Sequence, residues 1–136
     1  MARALIPAVV LGVVLGFGFA ERTAEAGVKG KTYNVTVTKN LAREFTDFYS
    51  FQSDGKFISA RGGIGSWSQT NLLLFSIWTC DFQASPTIKV SFIGVQVGPS
   101  IKAFGSNDEA DIFQTVGTEG PYNGSIGDDT NYYITD

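Results

Sequence analysis

The chain has 136 residues, one domain's worth, with 10 Lys+Arg against 13 Asp+Glu, a single cysteine and no histidine. A net charge of −3, spread evenly, argues against nucleic acid or an anionic membrane surface as partner. One cysteine leaves no intramolecular disulfide, and the absence of histidine removes Ser–His–Asp and Cys–His catalysis and the usual zinc sites, so neither metal nor cofactor is expected.

The opening "MARALIPAVVLGVVLGFGFAERTAEAG" has the three parts of a secretory signal: Arg3, an apolar run from Leu5 to Ala20, and the small-residue site Ala24-Glu25-Ala26. The apolar run is about 16 residues, short of the roughly 20 that span a bilayer. Cleavage after Ala26 is therefore expected, leaving Gly27 as the new terminus and no membrane span in the mature chain. No cysteine closes the apolar run, which excludes a lipoprotein. A cysteine-poor exported domain fits a bacterial periplasm or exterior better than a disulfide-stapled secreted scaffold.

From residue 31 the sequence runs at period 2, the strand period. "KTYNVTVTK" alternates Tyr33, Val35 and Val37 against Asn34, Thr36 and Thr38, and a single helical turn is possible at "NLAREF". Next, Phe45, Asp47, Tyr49 and Phe51 share one face, and Asp54-Gly55 signals a tight hairpin because such turns need positive φ. Lys56 to Arg61 forms the return strand, Gly62-Gly63 a turn, and Ile64 to Gln69 a short strand carrying Trp67, with Thr70-Asn71 the next turn.

Leu72 to Gln83 reads as one long strand, apolar on both parities in its first half. "SPT" breaks the chain, and "IKVSFIGVQVG" resumes it, with Gly94 marking a bulge or bend. Gly98-Pro99 turns into "SIKAFG", "SNDEAD" is an exposed acidic loop, and "DIFQTVG" is a last strand. The composition then shifts to "TEGPYNGSIGDDTNYYITD", either loose or one irregular strand.

Three segments follow: 1–26 signal, 27–117 barrel domain, 118–136 Gly/Asp-rich end. Seven to eight successive antiparallel strands with short connections and no covering helix predict an all-β, up-and-down meander. It hides its apolar face by closing into a small barrel, with a two-sheet β-sandwich as the alternative.

The stretches "FYSFQSDGKFISARGGIGSW" and "VSFIGVQVGPSIKAFG" resemble small exported meander barrels of the calycin (lipocalin-like) kind, over Lys31 to Gly117. That resemblance implies an antiparallel barrel with an interior able to hold a small apolar molecule. Lipocalins, avidins and fatty-acid-binding proteins carry a Gly-x-Trp on the first strand. Here Gly65-Ser66-Trp67 falls on about the third, so the likeness extends to fold and not to a ligand.

Little catalytic chemistry remains. Cys80 and Asp81 are adjacent in a strand and so point to opposite faces. Asp47, on an aromatic face, is the acid expected to be buried, in a structural ion pair with Arg61 or Lys56 across the hairpin. "NDEAD" lacks the spacing of a calcium loop. Tyr33, Tyr49, Phe51, Trp67, Phe75, Trp78, Phe82 and Phe92 are the side chains expected to fill or line the interior. Two non-enzymatic readings stay open: a barrel binding a small apolar or amphipathic ligand inside, and a filled barrel acting as a structural or protein-interaction module of the cell envelope. An isomerase or cyclase working without histidine is a distant third.

Overall fold

The protein is described by a computed structural model covering residues 27–134. The expected signal segment lies outside the described residues. Eight antiparallel strands, β1 (Lys31–Lys39), β2 (Arg43–Phe51), β3 (Lys56–Ser59), β4 (Gly63–Asn71), β5 (Ser76–Ser85), β6 (Ile88–Val97), β7 (Ser100–Asn107) and β8 (Ile112–Glu119), follow in sequence order. Each pairs with the next, and β1 pairs with β8 from Tyr33↔Glu119 to Lys39↔Phe113. The closed barrel has no free edge, which answers the covering problem that the meander pattern posed.

Alternation sets the interior. Tyr33, Val35 and Val37 of β1, Phe45, Asp47, Tyr49 and Phe51 of β2, and Trp78, Cys80 and Phe82 of β5 all point inward and are buried. Asp81 is only half-buried, on the outer side from Cys80, as the period-2 reading requires.

The hairpins alternate between two mouths. The upper mouth carries the β1–β2, β3–β4, β5–β6 and β7–β8 turns, and the lower mouth carries the others and the N-terminal residues. At the upper mouth "NLAREF" forms a turn rather than a helix. Ala42 N–H donates to Lys39 O at 3.0 Å, and Asn40 and Leu41 both sit at positive φ, 53° and 62°. Asn tolerates that region, whereas Leu41, 76 % exposed, sits there with no burial to offset the strain. Leu41→Gly is expected to raise stability by about 1 kcal/mol in a urea titration.

Three local expectations are corrected. β4 runs through Thr70-Asn71, and the turn lies at Leu72–Phe75, where Leu72 N–H donates to Phe75 O at 2.8 Å. β5 therefore begins at Ser76, not Leu72. Apolar residues on both parities had the look of a buried strand, but they form an exposed hairpin tip at the lower mouth. Gly94 makes no bulge. It pairs regularly with Trp78, and a Cβ there would stand 2.5 Å from Trp78 Cζ2, so the glycine makes room for an indole. The register irregularity instead falls at Gln83/Ser85, at the top of β5.

Residues 120–134 form no strand but are fixed along the barrel. Gly120 exchanges hydrogen bonds with Thr32 at the lower end, Asn34 Nδ2 donates to Pro121 O at 2.7 Å, and Tyr122 stacks edgewise on Phe48. Higher up, Thr46 Oγ1 donates to Ser125 O at 3.1 Å. The segment then crosses the upper mouth, where Asn131 Nδ2 donates to Ala84 O and Asn107 Nδ2 to Tyr133 O.

Candidate functional site

Two regions have the makings of a site: the interior and the outer wall. In the interior, Tyr33, Tyr49, Phe51, Trp78, Phe82 and Phe92 are buried as expected, and Trp67 is half-buried. Phe75 is not there. It lies 37 % exposed in the lower hairpin tip, a consequence of the shorter β5.

The rings fill the barrel in layers. At the lower end Phe51 meets Tyr33, Trp78 and Trp67 at centroid distances of 5.7, 5.0 and 5.9 Å. In the middle Phe57 packs on Tyr49 and Phe82, and Phe92 on Phe82 and Phe113. At the top Tyr133 enters from the C-terminal segment and touches Phe45, Phe82 and Phe113 at 5.1, 5.1 and 5.3 Å. Tyr33, Tyr49, Phe51, Phe57, Trp78, Phe113 and Tyr133 leave no surface accessible to water. An eight-stranded barrel is just wide enough for its side chains to fill it, and here they do.

One polar cluster interrupts this core. Asp47 is fully buried below the upper mouth. Its Oδ1 accepts from the backbone N–H of Phe48 (2.6 Å) and Arg61 (3.0 Å), and its Oδ2 accepts from Tyr133 Oη (2.7 Å) and from Ser59 Oγ. Tyr133 Oη also bonds Tyr49 Oη at 2.8 Å. Burial pushes the Asp47 carboxyl above the usual carboxylate range, against four hydrogen bonds that favour its charge. Burial, and next the charge of Asp47, likewise raise the Tyr49 and Tyr133 phenols, so both stay neutral.

The expected ion pair from Asp47 to Arg61 or Lys56 is not made. Only the Arg61 main chain reaches Asp47. Its guanidinium turns outward, donates to Asp128 and to Thr130 O (3.1 Å), and lies 5.1 Å from the Tyr132 ring centre, clasping the C-terminal segment. Phe57, Phe113 and Tyr133 are fully buried aromatics that sequence reasoning did not name for the interior, and of these Tyr133 alone lies outside the strands. It sits in a polar, glycine-rich stretch with no strand period, and only the isolated "NYYI" hinted at it.

Asp47 has donors around it, but no second acid stands among its hydrogen-bond partners, and its side chain is sealed from solvent. Cys80 is buried, and its thiol is pushed well up by desolvation, which makes it unreactive. Among the described residues no helix is long and apolar enough to cross a membrane.

The outer wall is asymmetric. The C-terminal segment lies along β1 and β2 and covers Phe48. Among the described residues nothing covers the outer face of β5–β8. There Ile93 (58 % exposed) sits directly across from Phe104 (61 %), Val95 across from Ile77, and Val97 and Val116 extend the apolar surface. Charges are sparse on this wall: Lys89 and Lys102 on one side of the balance, Asp81 on the other. The Leu72–Phe75 tip, with Leu74 76 % exposed, lies at the same end as Val97, because Ser76 pairs with Gln96. Sequence patterning missed this surface, since an apolar residue in a strand reads as inward-facing until its register is known.

Comparison with protein-family models, with curated proteins and with solved structures finds no match to this chain.

Proposed function

We propose that this chain is an exported, non-enzymatic β-barrel whose interior is its own core and which works through its outer surface, as a structural or interaction module of the cell envelope. The observation that carries this reading is the bare apolar wall of β5–β8, on a protein that covers its β1–β2 wall with its own C-terminal segment. Exposed apolar side chains grouped on one wall in this way mark contact sites. The wall is apolar around Ile93 and Phe104, and its one lysine within the patch, Lys102, stands between Val95 and Val116. A second copy of this chain is accordingly the partner the chemistry fits, in a closed homo-oligomer.

A calycin-like relationship is a further part of this reading. It is supported by the closed eight-stranded meander and weakened by the position of Trp67 on β4. There Trp67 Nε1 donates to Gln52 O at 2.8 Å and seals the β2–β3 hairpin, a local structural role. A small ligand inside the barrel is the second reading. The observation in its favour is that Tyr33 Oη and Trp78 Nε1 are buried without a hydrogen-bond partner, and a guest reaching them would require the packed rings to part.

Sedimentation equilibrium of the mature protein tests the first reading. The wild type is expected to associate at micromolar concentration. Ile93→Lys combined with Phe104→Lys is expected to weaken association at least 100-fold, because two charges then face an apolar surface, while unfolding midpoints stay close to wild type. Unchanged association in the double variant rejects this wall as the contact.

A further inference from the structure

The lower mouth is closed by the first described residues in an unusual way. Val28 is fully buried at the end of the core, and Gly27 is buried beside it. Neither backbone N–H joins a strand. Gly27 N–H donates to Gln96 Oε1 at 2.9 Å, and Val28 N–H donates to Gln69 Oε1 at 2.8 Å. A third amide oxygen, Asn71 Oδ1, would stand 2.7 Å from a Cβ at Gly27, and Gln69 Oε1 would collide with one outright.

Two of these three amides have a second partner that fixes them. Gln96 Nε2 donates to Gly98 O at 2.7 Å, and Asn71 Oδ1 accepts from Ser76 Oγ at 2.5 Å. Gln96 and Ser76 are themselves buried. The mouth thus gathers side-chain oxygens from β4 and β6 around Gly27 and Val28, with Gln96 Oε1 on the Gly27 nitrogen and Gln69 Oε1 on that of Val28, and Gly27, at φ 92°, has no room for a Cβ.

An amide nitrogen offers one hydrogen and needs one acceptor. An α-ammonium offers three. We infer that this oxygen cluster is a seat for the free amino terminus of the processed chain, generated by cleavage of the Ala26–Gly27 bond and locked into the lower mouth as the barrel closes. The inference rests on the exported reading and extends it. Cleavage is a hydrolysis: water adds to the Ala26 carbonyl, the C–N bond breaks, Ala26 leaves as a carboxylate, and Gly27 keeps its nitrogen as an ammonium. Charge-assisted hydrogen bonds to the amide oxygens offset the desolvation of that ammonium. A peptidase must hold the residues on both sides of the bond extended, and Gly27 and Val28 are buried in the closed barrel. Cleavage therefore precedes closure of this mouth, and closure then shields the new terminus.

Intact mass of the protein from its host's envelope is expected to equal residues 27–136, and any other amino terminus overturns the inference. Acylation of the Gly27 amine by an N-hydroxysuccinimide ester near pH 7, read by peptide mapping, is expected to be at least 10-fold slower in the folded protein than in urea. Equal rates overturn the seat. As a check without reagents, Gln96→Leu is compared in two chains, one starting at Gly27 and one bearing an extra N-terminal alanine. The substitution is expected to lower the folding constant about tenfold more in the first, the scale of one charge-assisted hydrogen bond. Equal loss in both overturns the seat. If Gln96→Leu does not fold, the acylation rates decide. A chain given its Gly27 terminus by a site-specific protease serves for the last two tests. The mass thus reports on export and cleavage, the other measurements on the seat, and the two readings fail separately.

Discussion

Tyr133→Ala is expected to destabilise the protein by about 3–5 kcal/mol in urea unfolding, the range for removing a large buried aromatic. A domain of this size is stable by roughly 5–15 kcal/mol in all, so the variant sits close to unfolding. The loss has two parts. The ring vacates a cage made by Phe45, Phe82 and Phe113 at the upper mouth, and the hydroxyl leaves Asp47 and Tyr49 short of a partner. Tyr133→Phe separates them: it keeps the ring and is expected to cost only about 1–2 kcal/mol, the hydrogen-bond share. A loss below about 1 kcal/mol in Tyr133→Ala would show that the C-terminal segment does not contribute to the core.

Asp47 gives the second large effect, and a distinctive pH profile. Asp47→Ala strands the backbone N–H groups of Phe48 and Arg61 in a buried site and is expected to cost about 3 kcal/mol. Asp47→Asn should be tolerated. Its carbonyl oxygen can accept from the same two N–H groups, and its amide can donate to Ser59 and Tyr133, whose hydroxyls can turn to accept.

Because burial raises the Asp47 carboxyl, the folded protein binds that proton more tightly than the unfolded chain. Folding then takes up a proton, so the contribution of Asp47 is greatest below its unfolded pKa. It diminishes as pH rises from about 4 through the raised folded value. Asp111, held low by hydrogen bonds from Asn40 and Asn107, and Asp128, held low by Arg61, act with the opposite sign and in a lower window. Their contributions fade as pH drops below about 4. Stability measured against pH should therefore lose its decline above pH 4 in Asp47→Asn while keeping its acid limb. An unchanged profile would mean that the Asp47 carboxyl binds its proton no more tightly in the folded protein than in the unfolded chain.

How much of this was legible in the sequence follows from what period-2 patterning can and cannot encode. Alternation in "KTYNVTVTK" and "REFTDFYSF" fixed the inward faces of β1 and β2, and glycines marked three of the hairpins, β2–β3, β3–β4 and β6–β7, so the meander could be read directly. Asp47 was recognisable as a buried acid because its strand neighbours at ±2 are aromatic. Its partners were not, since Ser59 and Tyr133 reach it only through pairing and chain return. Patterning failed where an apolar residue was not inside. "LLLF" mimicked a strand and proved to be a tip. Ile93, Val95 and Phe104 share strands with buried residues, and only the register shows them facing out together. Tyr133 failed in the reverse sense: a core residue within a segment whose composition reads as loop.

The central claim is that the barrel is filled by its own side chains and acts through its outer wall. Native mass spectrometry of the mature protein, purified from its host's envelope without detergent, tests it most directly. The account predicts a closed multiple of the bare polypeptide mass, with no small-molecule excess in any species. A monomer carrying a reproducible excess that disappears on denaturation would contradict it and return the function to the barrel's interior.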